Sequence, residues 1–249
     1  KQEQKAKELA DKILKNYPLT YYGMRIRMEQ ADGLVKKDFQ TGRTPLVQLF
    51  LSNAEMKSWE NFQLLRDSGW YAEAQEELSL LPPAETPEQK VMFAYLWLGA
   101  NAPDQGLKLF GEVIYEDSSL ISWDGLKRFF PDWYQGTIEK WAEANGIDPY
   151  IAFAIIRQES SFNVRAMSPA NAAGLMQMIP LTANQVAKEL KIEKYQFPET
   201  LFEPKTNIRM GIYYFKKILR GNKGNLPLTL AAYNVGIGNI YKWIKSRED

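Results

Sequence analysis

The sequence, 249 residues long, contains no cysteine and no histidine. This excludes disulfides, thiolate nucleophiles, zinc sites of the usual kind and every triad built on an imidazole base. It also leaves the redox compartment open, because a cysteine-free chain suits either state. Long hydrophobic runs are missing too. The longest, Val91–Ala100, has ten residues, against about 20 needed to cross a bilayer. It reads as a buried core helix, and no transmembrane segment is expected. The chain starts at Lys1 with neither an initiator Met nor a signal-type segment, and so reads as a processed or trimmed product. No nucleic-acid motif is recognisable, so no nucleic-acid partner is expected.

The most telling scarcity is local. No Asp or Glu occurs between Ser160 and Lys188, and none between Pro204 and Arg247. The net charge of +1 hides this asymmetry. Nine of the 31 basic residues fall in 204–247 without a single acid, leaving 22 basic against 30 acidic residues elsewhere. Such a region either faces an acidic polymer or is an ordinary solvated helix surface.

What is present is a substantial apolar complement, 45% hydrophobic and 13% aromatic, enough to bury a real core. Periodicity is helical throughout, with no convincing strand alternation, and an all-α fold is expected. Helices are expected from about Glu3 to Asn16, from Thr20 toward Gly33, and from Thr44-Pro45 through Leu46, Leu49 and Phe50. A faint repeat follows. Leu64-Leu65, Gly69, Ala74 and Leu78 are echoed 32 residues later by Leu96-Trp97, Asn101, Gly106 and Phe110, as in solenoids of stacked helix pairs. Composition shifts near Ser118, where Trp123, Phe129, Phe130, Trp133 and Tyr134 cluster. A boundary at about residue 120 is expected: a helical-repeat domain over 1–119 and a second domain over 120–249, packed together for want of a flexible linker.

Chemistry concentrates in the second domain. Asp148-Pro149 is a strong helix start, and the helix runs to Glu159. Ile151 and Ile155 share its face. The carboxylate therefore emerges from an aliphatic stripe, where desolvation favours its protonated form. Ser168-Pro169 is expected to open a further helix through Gln177 to Pro180. Small residues from Ala170 to Gly174 permit close approach, and Thr182 with Gln185 forms a capping pattern. Thr206-Asn207 starts a helix carrying Tyr213 and Tyr214, stopped by Gly221. Leu226-Pro227 starts another that ends in Tyr233-Asn234, before Gly236 and Gly238.

Glu159-Ser160, Gly174-Leu175-Met176-Gln177 and Ala232-Tyr233-Asn234, in this order and spacing, resemble the three motifs of the soluble lytic transglycosylases, with Ser168-Pro169, Asn207-Ile208 and Gly236-x-Gly238 around them. The resemblance covers residues 120–249. Tyr17-Pro18-Leu19-Thr20-Tyr21-Tyr22-Gly23 and the helical pairs are similar to the superhelical region that precedes the catalytic domain in large members. Two departures stand out. Asn171 occupies a position where the family often has Gly, a substitution that left-handed backbone tolerates. The chain also ends at Asp249 without the further helical segment of large members, and its N-terminal part is too short for a complete superhelical ring.

The resemblance implies a goose-type-lysozyme-like catalytic domain that acts on peptidoglycan between N-acetylmuramic acid and N-acetylglucosamine, leaving a 1,6-anhydromuramyl end. It implies Glu159 as single general acid and base. Gln177, Tyr214, Tyr233 and Asn234 would line the glycan groove, with Tyr233 hydrogen-bonded to Glu159, and Ser168 would contact an acetamido group. Met176 and Ile179 would form the groove floor or belong to the core. It also implies glycan strands as partner, a periplasmic or cell-envelope location, and no metal or cofactor. Two other readings stay open: a muramidase of the same fold that delivers water, with Asp124, Asp132 or Glu139 as second acid, and a scaffold that binds glycan without cutting it.

Overall fold

Helix signals written into the sequence decide most of the architecture. In the computed structural model, which describes residues 2–29, 47 and 49–246, thirteen α-helices and no named strand occur among the described residues. The chain forms two compact units, 1–131 and 132–249. The start of the expected third helix at Thr44-Pro45 and Leu46 lies outside the described residues, as does the extension of the second helix beyond residue 29. Leu49 and Phe50, through which the third helix is expected to run, lie in no helix, because the Ser52 cap starts the next one only at Asn53.

The first unit holds α1 (Gln2–Asn16), α2 (Tyr21–Glu29), α3 (Asn53–Asp67), α4 (Tyr71–Ser79), α5 (Pro87–Gly99), α6 (Pro103–Asp117) and α7 (Trp123–Phe129). Capping boxes start α3 and α5: Ser52 exchanges hydrogen bonds with Glu55, and Thr86 with Gln89. Each box satisfies otherwise orphaned N–H groups of a first turn. Helix α3 packs on α4, α5 on α6, and α4 on α5, giving consecutive helix pairs.

The 32-residue echo has a physical basis in these pairs. Gly69 and Asn101 take the same left-handed turn at the ends of α3 and α5, with φ of 78° and 57°. Ala74, Leu78 and Phe110 are fully buried at matching positions of α4 and α6. The unit reaches past residue 120, because Phe129 of α7 packs edge-to-face on Phe110, with ring centroids 6.3 Å apart. Part of the aromatic cluster that marks the shift in composition thus belongs to the first unit's core.

The second unit holds α8 (Gln135–Asn145), α9 (Pro149–Ser160), α10 (Pro180–Glu189), α11 (Pro204–Gly221), α12 (Leu226–Val235) and α13 (Ile237–Lys245). Helix α11 is its axis. It packs against α8, α10 and α12, while α8 also meets α9, and α12 meets α13. Its buried stripe of Ile208, Gly211, Ile212, Phe215 and Ile218 follows the 3.6-residue period. Two of its basic residues serve packing or pairing. The Arg209 guanidinium lies 4.9 Å from the Trp141 ring centroid, and Lys217 pairs with Glu189 at 2.6 Å.

One expected helix is absent. Residues 168–179 form turns and two isolated bridges, Met167 with Ala173 and Ala173 with Met178. The backbone explains why. Asn171, Gly174 and Gln177 all have positive φ, at 58°, 76° and 44°, which a right-handed helix cannot accommodate. Helix α10 begins at Pro180, with Ile179 as its N-cap. Thr182 therefore lies inside the first turn, and Gln185 bonds Glu189 instead of forming the expected capping box.

Gly106 tests the close packing of α5 on α6. A Cβ there would stand 2.9 Å from the Ala94 carbonyl oxygen and 2.7 Å from Leu98 Cγ. Alanine is intrinsically better than glycine inside a helix by about 1 kcal/mol. Gly106→Ala is nevertheless expected to destabilise the protein by roughly 1–3 kcal/mol in urea denaturation. A stability equal to or above wild type would contradict this packing.

Candidate active site

Helix α9 carries Glu159 to the second unit's surface because Asp148 and Pro149 fix its start. Asp148 accepts from the Tyr150 N–H at 2.9 Å. Eleven residues on, Glu159 lies beside Ser160, which is buried and turned inward. The Ser160 hydroxyl lies 2.8 Å from the Leu175 carbonyl oxygen and 3.0 Å from that of Ile156. This ties the end of α9 to the irregular loop before α10.

A cavity of about 350 Å³ opens at this junction. Glu159 lines it together with Ser168, Gln177, Thr182, Tyr214, Tyr233 and Asn234, with apolar walls from Ile179 and Val235. Among the described residues, Glu159 is the only acid in the lining. Within the second unit, Asp132 and Glu139 are not among its lining, and Glu139 instead accepts a hydrogen bond from Gln135. No hydrogen bond or ion pair engages the Glu159 carboxyl among the described residues. Burial raises its pKa above the ordinary carboxyl value, the direction expected when desolvation penalises a charge that no cation offsets.

The neighbouring polar groups are already partly committed, which fixes what each offers a ligand. Gln177 donates through Nε2 to the Gly174 carbonyl at 2.9 Å and to the Ala166 carbonyl at 3.1 Å. Both amide hydrogens are thus used, and the free function is the Oε1 acceptor. Ser168 Oγ accepts from the Ala172 N–H at 3.0 Å, so its own hydrogen remains available. Tyr233 donates its hydroxyl to the Met176 carbonyl at 2.8 Å.

That last bond corrects an expectation. The Tyr233 proton goes to the loop backbone and not to Glu159, so toward a protonated Glu159 this oxygen is an acceptor. Its pKa is pushed well above the ordinary tyrosine range, by burial first, then by the Glu159 charge and by Tyr214. The tyrosine therefore stays neutral and senses the carboxylate. The rings of Tyr233 and Tyr214 lie 5.8 Å apart.

Of the residues expected at the site, Glu159, Ser168, Gln177, Tyr214, Tyr233 and Asn234 converge on the cavity. The Met176 side chain does not. It is fully buried, packed against Gly211, and only its backbone takes part in the site. Ile179 supplies the apolar contact instead, 43% exposed at the rim. Thr182 was missed as a lining residue, because its sequence context reads as a cap. Its place just after Pro180 was the available signal.

Comparisons with known proteins converge on one domain. Residues 136–249 match the family model of the transglycosylase SLT domain. The chain is 37% identical over 122 residues to the soluble lytic murein transglycosylase of Salmonella typhimurium, a match covering 49% of this chain and 19% of that protein. It is 35% identical over 125 residues to the membrane-bound lytic murein transglycosylase C of Haemophilus influenzae, covering 47% of this chain and 35% of that one. The chain thus spans well under two thirds of the curated relatives it matches. Its fold is similar to the 70 kDa soluble lytic transglycosylase of Escherichia coli, with a TM-score of 0.68 at 24% identity over 98% of this chain and 37% of that one. A lytic transglycosylase from Pseudomonas aeruginosa gives a TM-score of 0.69 at 23% identity, over 96% of this chain and 37% of that one.

The raised pKa of Glu159 makes a prediction about stability. An acid whose folded-state pKa exceeds the ordinary 4.5 stabilises the fold fully below 4.5, and that contribution is lost as pH rises through the raised value. Glu159→Gln, neutral at every pH, is expected to have the higher thermal midpoint at neutral pH, with the gap closing in acid. A gap independent of pH, or a more stable wild type at neutral pH, would contradict this environment.

Proposed function

We propose, from a chain whose residues 136–249 match the family model of the transglycosylase SLT domain, that this protein is a lytic transglycosylase cleaving the glycosidic bond between N-acetylmuramic acid and N-acetylglucosamine in peptidoglycan. The observation that carries the reading is the solitary, partly desolvated Glu159 in a cavity of hydroxyl and amide groups. The names of the relatives, murein transglycosylases, supply the substrate class.

Most glycosidases use two carboxyl groups, one as acid and one as base or nucleophile. A single carboxyl suffices when the substrate carries its own nucleophile. Glu159 in its protonated form, which burial favours, gives its proton to the glycosidic oxygen as the bond to the muramyl C1 breaks. The N-acetylglucosamine chain leaves as an alcohol. The muramyl acetamido oxygen stabilises the positive charge that develops at C1. The carboxylate so formed then takes the proton of the muramyl C6 hydroxyl, whose oxygen bonds to C1 and closes the 1,6-anhydro ring. Glu159 ends protonated, ready for another turn. No water, metal or cofactor enters this balance.

The remaining lining residues find roles in positioning the glycan. Gln177 Oε1 accepts from a substrate N–H or O–H, for which an acetamido N–H is well suited. Ser168 donates from its free hydrogen to an acetamido carbonyl. Tyr214 and Asn234 hold sugar hydroxyls, and Ile179 gives apolar contact to a ring face. Partners are therefore glycan strands, and the site of action is the periplasm or cell envelope. No helix among the described residues is long and apolar enough to cross a membrane.

Mass spectrometry of purified sacculi digested by the protein tests the reaction. Anhydromuramyl ends are expected. Reducing ends would identify a hydrolase, and intact strands that bind without release would identify a scaffold. Glu159→Gln is expected to keep the fold and the affinity for sacculi while losing a factor of about 10² to 10⁴ in turnover, the usual contribution of a general acid. Full activity in that variant would remove Glu159 from the mechanism.

A further inference from the structure

Asn207 lies in the first turn of α11, is fully buried, and is not in the cavity lining. Its side-chain amide is nonetheless fully engaged. Oδ1 accepts from the Met176 N–H at 2.9 Å, and Nδ2 donates to the Leu201 carbonyl at 2.8 Å and to the Ala173 carbonyl at 3.2 Å. Two of these bonds go to the loop that carries Gln177. Glycine at position 174 is what lets the amide approach: a Cβ there would collide with Asn207 Nδ2 and with the Leu201 carbonyl.

Met176 is therefore held from both ends. Its N–H goes to Asn207 on α11, and its carbonyl oxygen accepts the Tyr233 hydroxyl from α12. The residue after it is Gln177, which takes a left-handed backbone with φ of 44°. Such a conformation costs about 1 kcal/mol or more and persists only where the surroundings enforce it. One buried amide thus sets the backbone from which Gln177 projects and to which Tyr233 is anchored, and both side chains line the cavity with Glu159.

We propose that Asn207 is a positioning residue for the reaction, acting through the Met176 backbone to fix the Gln177 and Tyr233 oxygens relative to Glu159. The inference rests on the transglycosylase reading above and names a residue that touches no substrate.

Asn207→Asp provides a test with a signature that a purely structural role lacks. A protonated aspartic acid restores one donor and keeps the acceptor. An ionised one turns a charge on the Ala173 and Leu201 carbonyls, and the loop must shift. Relative to wild type at the same pH, turnover of N207D is expected to be near normal in acid and to fall at least about tenfold as its carboxyl ionises. Circular dichroism should show the same folded fraction throughout. Tyr233→Phe breaks the same link from the other side, so the double variant should lose less than the product of the two single losses. Thr229→Val serves as control. It removes a buried hydroxyl bonded to Asn225 and Asn222, and is expected to lower stability without changing turnover of the folded protein.

Turnover of N207D that tracks wild type at every pH, or that falls only with the folded fraction, would overturn the inference. So would strictly multiplicative losses with Tyr233→Phe. If N207D does not fold, Asn207→Ala takes its place in the cycle, and if neither folds, Asn207 is a residue of the fold alone. A wild type that releases no muropeptides would instead defeat the functional reading and leave the geometry untouched.

Discussion

The site depends on the satisfaction of a buried, irregular stretch of backbone. Residues 172–178 are almost all buried and belong to no helix or strand, so their N–H and C=O groups cannot all be paired within a regular ladder. Side chains supply the missing partners. Ser160 reaches Leu175 from α9, Asn207 reaches Ala173 and Met176 from α11, and Tyr233 reaches Met176 from α12. An unpaired buried polar group costs about 1–3 kcal/mol, so each of these contacts is expensive to lose. The three helices are thereby tied to one loop, and the cavity is the space left between them.

This arrangement accounts for residues that chemistry alone would not require. Ser160 follows the acid in sequence yet faces the protein interior. Gly174 precedes Gln177 because its conformation, and the closeness of Asn207, exclude a side chain. Tyr233 sits in the cavity wall, but its proton belongs to the loop. Around Glu159 the same construction leaves a partly desolvated carboxyl with no ion-pair partner or hydrogen-bond donor among the described residues. The raised pKa of the acid thus follows from the partial burial that this construction imposes.

Much of this was legible in the sequence. Asp148-Pro149 and Leu226-Pro227 announce helix starts through local chemistry, and the structure places helices there. The raised pKa of Glu159 followed from an aliphatic stripe and an absence of nearby acids. The misreadings share a cause. Ser168-Pro169 and Thr182-Gln185 carry good local helix signals, but Asn171, Gly174 and Gln177 take left-handed backbone in a loop held by long-range bonds to Ala173, Leu175 and Met176, and no local pattern announces that. Met176 in an apolar run gives no sign of which way it faces. Its burial against Gly211 is a fact of two segments 35 positions apart in sequence. Asn207 stayed in the background for the same reason.

The central claim is that the loop and helices around Glu159 partly bury its carboxyl and so raise its pKa above the ordinary value. Carboxyl-selective carbon NMR of the protein labelled at glutamate, titrated through the acid range with Glu159→Gln to assign the resonance, reads this directly. The account predicts a midpoint for Glu159 clearly above the 4.5 of an ordinary carboxyl. A midpoint at or below 4.5 would contradict it.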